Sequence, residues 1–155
     1  MTKTVEGLRN DIRYAIRLCE RTARFYRHIQ TFLTFATILG GSAALSALSS
    51  VFPNWVAISG AICMTIFGAT SIAIRAPDKA TANESDDKKY TALLAKSHGI
   101  DAVELSRLLD EARQTDAPEI EALRDVAYND IVHEIGRPDA AVRFSLSQRI
   151  FAALA

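Results

Sequence analysis

Residues 29–74, IQTFLTFATILGGSAALSALSSVFPNWVAISGAICMTIFGATSIAI, contain no Asp, Glu, Lys or Arg. This uncharged run of 46 residues is roughly twice the ~20 that one helix needs to cross the hydrocarbon core of a bilayer. Its one strong breaker is Pro53-Asn54 near the middle, where a missing N–H and a turn-favouring side chain suit a tight reversal. The stretch predicts two membrane helices, about 30–52 and about 55–75, folded back on each other as a hairpin.

The sequence around the hairpin sets an expected architecture. The fold class is all-α: an integral membrane protein in which a long amphipathic N-terminal helix continues into a two-helix transmembrane hairpin, followed by a small cytosolic helical region. The divisions fall at residues 1–28, 29–75, a linker at 76–84, and 85–155. Neither flank is large enough to build an ample core by itself, so oligomerisation is expected on size. No secretory signal is apparent, because the apolar stretch starts too late and runs too long.

Basic residues set the orientation. Arg24, Arg27, Arg75 and Lys79 flank the open ends of the hairpin, and its closed end carries no charge. Both termini are therefore expected on the cytoplasmic side of a bacterial inner membrane. Tyr26 and Trp55 are the expected interface anchors, with Phe25 and Phe52 beside them, as amphipathic rings favour.

Inside the hairpin, Ala36, Gly40 and Ala44 repeat at four-residue spacing, as do Gly60, Met64 and Gly68, and Ala61, Thr65 and Ala69. Small residues so spaced let helix backbones approach closely. Ser42, Ser46 and Ser49 fall within about 60° of one another on a helix. They are pore-lining candidates, although the structural reading, in which each hydroxyl bonds a carbonyl one turn back or a neighbouring helix, is the preferred one. Without an ionisable residue in the spans, a proton relay or charged selectivity ring is not expected, and any pore would be weakly selective.

Residues 1–28 carry seven basic and three acidic side chains, and residues 76–155 carry ten and fifteen. The flanks thus have opposite signs and attract each other at modest, salt-dependent strength. Val5, Leu8, Ile12, Ala15, Cys19, Thr22, Tyr26 and Ile29 form a heptad seam of one helix read from about Val5 to Phe52, with Gly40-Gly41 as the kink candidate. Arg9, Arg13, Arg17 and Arg21 make a basic stripe on another face. It suits three uses: a solvated positive-inside face, anionic lipid head groups, or the acidic C-terminal region. Nucleic acid is not an expected partner, since motif, aromatic interleaving and overall basic charge are missing.

Beyond Arg75, Ala76 to Asp87 reads as a polar linker. Helices are then predicted from near Ser85 to Gly99, from Asp101 with Glu104 as its capping partner, from Asp116 with Pro118 in the first turn to Gly136, and from Val142 to Leu154. The last is amphipathic, and three roles suit it: covering the bundle, binding a neighbour, or lying in the lipid interface.

No arrangement of chemistry-bearing residues points to an enzyme. His28, His98 and His133 are far apart in sequence and lack cysteine or histidine neighbours, so no metal is expected. Cys19 and Cys63 read as apolar fillers rather than a disulfide. No phosphate-binding glycine loop or nucleophile motif occurs, and no cofactor or catalytic residue is assigned.

The order of parts carries a resemblance. Arg24-Phe25-Tyr26-Arg27-His28 closes a basic arm, a hairpin follows, then a helix with Tyr90 and Leu93, a Leu-rich helix, and Asp116-Ala117-Pro118 before Ala122-Leu123 and Ala127-Tyr128-Asn129. This layout resembles the SLATT group of bacterial two-transmembrane proteins. The resemblance implies a homo-oligomeric membrane effector of a bacterial defence or conflict system that perforates the inner membrane, with the hairpin from Thr31 to Ile74 as the working part. A nucleotide-sensing domain is not evident in these residues, so either a separate cytosolic sensor protein supplies the trigger or this member does something other than regulated killing. The expected partners are other copies of the chain, membrane lipids and that sensor. The alternative is a membrane-anchored scaffold that recruits a cytosolic partner without forming a pore.

Overall fold

The computed structural model describes residues 3–48 and 52–155. Among them there are six α-helices and no strand: α1 (Val5–Leu45), α2 (Asn54–Ile74), α3 (Ala76–Lys96), α4 (Ala102–Arg113), α5 (Arg124–Glu134) and α6 (Leu146–Leu154). The chain divides into two compact units. One comprises the residues up to Phe25 together with Lys79–Ala155, and the other Tyr26–Asp78. The basic N-terminal arm and the C-terminal region, whose opposite charges favour association, thus fall in one unit. Residues of both flanks share one core.

The first unit is built on a core of Leu8 and Ile12 from α1, Tyr90 and Leu93 from α3, and Leu105 and Leu109 from α4. Ala15, Cys19, Leu94, Leu108 and Ala112 pack around it. Further along, Leu18, Thr22 and Phe25 of α1 are buried, as are Leu123, Val126, Ala127, Ile131 and Val132 at and within α5. Phe25 meets Phe151 of α6 with ring centroids 5.2 Å apart.

Several helix limits differ from the expected ones. Helix α1 runs through Gly40-Gly41 but stops at Leu45 and tightens into a 3-10 turn over Ser46–Leu48, short of Phe52. Such tightening offers carbonyls at a helix end closer donors. The predicted linker at 76–84 is helical, since α3 begins at Ala76. Its buried positions are Ala76, Ala80, Asn83, Asp86, Tyr90 and Leu93, spaced by three and four as in any packed helix. The first four are small or polar, which hides the seam from a hydrophobicity reading. Pro77 sits in the first turn, where a missing N–H is harmless, and Arg75, at φ 53°, ends α2 one residue earlier.

No helix starts at Asp116. Residues 116–120 form no regular element, a 3-10 turn covers Glu121–Leu123, and α5 follows. The Asp116 carboxylate bonds Lys89 and Tyr90 instead of capping. Likewise the terminal helix begins at Leu146 and not at Val142, because the buried Asn129 amide bonds the Val142 N–H and C=O, both at 2.8 Å. Ser145 and Gln148 form a full capping box there. Asp101 caps α4 by accepting the Glu104 N–H at 2.8 Å, and Gly136 follows α5 at φ 74°.

Candidate functional site

In the unit Tyr26–Asp78, the second part of α1 meets α2 at glycines. A Cβ placed on Gly60 would lie 2.6 Å from the Ala44 amide nitrogen, the Gly40 carbonyl oxygen and the Ala43 Cβ. One placed on Gly40 would lie 2.7 Å from the Met64 amide nitrogen. The two backbones therefore approach as closely as only glycine permits. Of the five small residues singled out, Gly40, Ala44 and Gly60 come together at this crossing, and Ala36 is half-buried. Gly68 stands apart, its nearest neighbour for a Cβ being Thr37 Cγ2 at 4.0 Å. Phe32 and Phe67 add an edge-to-face contact at 5.8 Å.

Most of the rest of α2 is exposed. Gly60 is its sole buried residue, and Trp55, Ile58, Ile62, Ile66 and Ile72 are all more than half exposed. A helix that is apolar on every face suits an apolar surrounding. Three of its hydroxyls are satisfied locally, Ser59 donating to the Val56 carbonyl, Thr65 to Ala61 and Thr70 to Ile66, while Ser71 donates to the Gln30 side chain of α1 at 3.4 Å. Among the described residues, one helical stretch, beginning at Asn54, is long and apolar enough to cross a membrane. The uncharged part of α1, from Ile29 to Leu45, is shorter and diluted by Gln30, Thr31, Thr34 and Thr37.

Two of the three serine candidates lie among the described residues. Ser42 donates to the Ile38 carbonyl at 2.9 Å, Ser46 lies in the 3-10 turn, and Ser49 falls outside the described residues. Of the interface anchors, Trp55 is exposed and Tyr26 half-buried.

The basic stripe is engaged within its own unit. Arg21 makes a two-pronged pair with Asp130 at 2.9 and 3.1 Å, and Arg17 bonds Glu20 and Glu134 at 2.9 and 3.1 Å. Arg9 donates to the Ser97 hydroxyl and carbonyl just past the end of α3, and Arg13 bonds Asn10. Of the three uses open in the sequence, pairing with the C-terminal region is the observed one for Arg17 and Arg21. Such part-exposed pairs each contribute about 0–1 kcal/mol and matter more for specificity.

The sequence reading missed a charged clamp. Lys89 Nζ donates to Asp116 at 2.7 Å, Asp86 at 2.9 Å, the Ala112 carbonyl at 2.9 Å and Thr115 at 3.2 Å. The Tyr90 hydroxyl donates to the other Asp116 oxygen, and Asp86 accepts the Ala117 N–H at 2.7 Å. The end of α4 and the segment that follows it are thus pinned to α3. The only sequence signal was the three-residue spacing of Asp86 and Lys89, which exposed helices share.

Burial holds the Tyr90 hydroxyl far above its usual 10.0, with Asp116 adding to it. Burial works against the Lys89 charge, but Asp116 and Asp86 outweigh it and raise the group above 10.5. The Cys19 thiol is pushed up from 9.0 to about 12, chiefly by burial, with Asp86 and Asp116 next, so it is a poor nucleophile. All three folded values exceed the unfolded ones. The stability they contribute is complete below about pH 9; the share of Cys19 is lost between 9.0 and about 12, and those of Tyr90 and Lys89 as pH rises from 10.0 and 10.5 through their raised values. The urea midpoint is therefore expected to fall steeply above pH 9, and Tyr90→Phe to flatten that fall. A midpoint constant to pH 11 would contradict this assignment.

His28, His98 and His133 are exposed and lie on α1, after α3 and on α5. Among the described residues, no group of three or more His, Cys, Asp or Glu side chains is placed to hold a metal ion. No protein-family model, curated protein or solved structure matches this chain.

Proposed function

We propose that residues 29–74 form a hairpin in the bacterial inner membrane with both termini cytoplasmic, and that the protein is a homo-oligomeric, pore-forming effector of the SLATT-like kind. The observation that carries the membrane part is α2, which buries only Gly60 and leaves its apolar side chains uncovered. Each such large side chain gains about 1.5–3 kcal/mol on leaving water, and lipid supplies that environment along the whole helix. The cationic flanks Arg24, Arg27, Arg75 and Lys79 favour cytoplasmic ends. The short uncharged part of α1 is accommodated by local thinning of the bilayer or by protein neighbours.

The pore part rests on the layout resemblance and on the free outer faces of the helix pair, whose glycine crossing is used within one chain. With no charge in the hairpin, such a pore passes small ions and solutes with little selectivity. Alkaline carbonate extraction tests insertion: the chain is expected in the membrane pellet, and its release overturns the hairpin. Vesicles loaded with a small dye and reconstituted with the full chain test the pore, which requires dye release.

Retention in the pellet without dye release, under any oligomerising condition, leaves the second reading, a membrane-anchored scaffold. One feature favours it. Lys3, Leu8, Asp11, Val103, Arg107 and Arg113 line an open groove beside α1 and α4 in the compact unit, and a protein segment would fit there.

A further inference from the structure

Helix α6 is amphipathic in the inverted sense for a protein surface. At ~100° per residue, Leu146, Ile150, Ala153 and Leu154 share one arc, and all four are exposed, Leu146 at 80% and Ile150 at 62%. The opposite side carries the residues that face the protein: Phe151 against Phe25, and Gln148, whose amide donates to Asp125 at 2.6 Å. The apolar side therefore points out and the anchored side points in.

Charge distinguishes this end of the chain from what precedes it. From Ala140 to Ala155 there is no acidic residue, while Arg143 and Arg149 are both exposed. This stands out in a C-terminal region that is otherwise net acidic. Phe25, to which α6 is anchored, lies on α1 next to Arg24 and four residues before the uncharged stretch begins at Ile29.

We infer that α6 is an interfacial helix, lying on the cytoplasmic leaflet with Leu146, Ile150 and Leu154 in the acyl boundary and Arg143 and Arg149 on anionic phospholipid head groups. Apolar burial together with basic flanks is the physical basis of such adsorption. A second copy of the chain would cover the apolar arc but gives no role to the acid-free, basic flank. The inference rests on the membrane reading of residues 29–74, and the test separates the two.

The full chain, with Cys19 and Cys63 replaced by Ser and Ala, is given one new cysteine at Ile150, Leu146, Gln148 or Ile62, labelled with a polarity-sensitive fluorophore and reconstituted into vesicles containing phosphatidylglycerol. Probes at positions 150 and 146 are expected to be quenched by a nitroxide placed shallow on the acyl chain at least about twofold more than the probe at 148. Arg143→Glu with Arg149→Glu is expected to reduce that difference. A lipid-quenched probe at 62 with unquenched probes at 146 and 150 overturns this inference and leaves the hairpin standing. No quenching at 62 overturns the hairpin itself, and the inference with it. Disulfide-linked dimers through position 150, with no lipid quenching there, assign the face to a second copy and likewise overturn it.

Discussion

Gly60→Ala is expected to lower the stability of the helix pair by about 3 kcal/mol, while Gly68→Ala, one helix face and eight residues away, leaves it unchanged or slightly raised. The new methyl at position 60 would stand 2.6 Å from backbone atoms of Ala44 and Gly40. Backbone cannot rotate aside as a side chain can, so α1 and α2 must separate. Overpacking of this kind typically costs about 1–3 kcal/mol, and two backbone clashes at once place it at the upper end. At position 68 the methyl meets only Thr37 Cγ2 at 4.0 Å, an ordinary contact, and replacing Gly in a helix gains up to about 1 kcal/mol. Thermal unfolding in detergent micelles, followed by the single tryptophan Trp55 in α2, checks both. At about 2–4 °C per kcal/mol for a chain of this length, Gly60→Ala lowers Tm by roughly 6–12 °C. Equal effects at the two positions would show that the glycine crossing is not what holds the pair.

Lys89→Met is expected to destabilise the other unit by about 2–3 kcal/mol. The ammonium is the shared donor to Asp116, Asp86 and the Ala112 carbonyl, and methionine keeps the stem while deleting it. The two carboxylates that remain are 22% and 12% exposed in their side chains. Removing one partner of a fully buried pair costs about 3–5 kcal/mol, reduced here because Lys89 is itself 29% exposed and water screens what it reaches. Asp116→Asn in the Lys89→Met background is expected to recover part of the loss, since it removes a charge left without its cation. A double-mutant cycle by urea unfolding measures the coupling. Additive losses would mean that the two residues act separately.

The engaged arginines and the clamp also explain how the two flanks find each other. Arg17 reaches Glu134 across 117 positions and Arg21 reaches Asp130 across 109. The opposite net charges of the flanks were legible in the sequence, but the pairing was not, because a periodic arginine stripe is equally suited to water, lipid and carboxylates. The capping of α4 by Asp101 was legible because capping is a local bond over three residues. Asp116 has the same local signature and does not cap, because Lys89 and Tyr90, distant in sequence, bind its carboxylate. The start of α3 was hidden for a related reason: Ala76, Ala80, Asn83 and Asp86 are buried, yet none is a residue whose hydrophobicity announces burial.

What the sequence determined by itself is the all-helical class, the uncharged stretch 29–74 and the helix within it that is apolar on every side, since absence of charge and length of an apolar run are properties of the chain alone. The tertiary structure decided which glycines touch, so that Gly40 and Gly60 are tight and Gly68 is not. It also decided that α1 up to Phe25 shares a core with the C-terminal helices, and that α6 turns its apolar face outward. Each of these depends on which side of a helix meets a neighbour, and that is set by contacts between residues far apart in the chain.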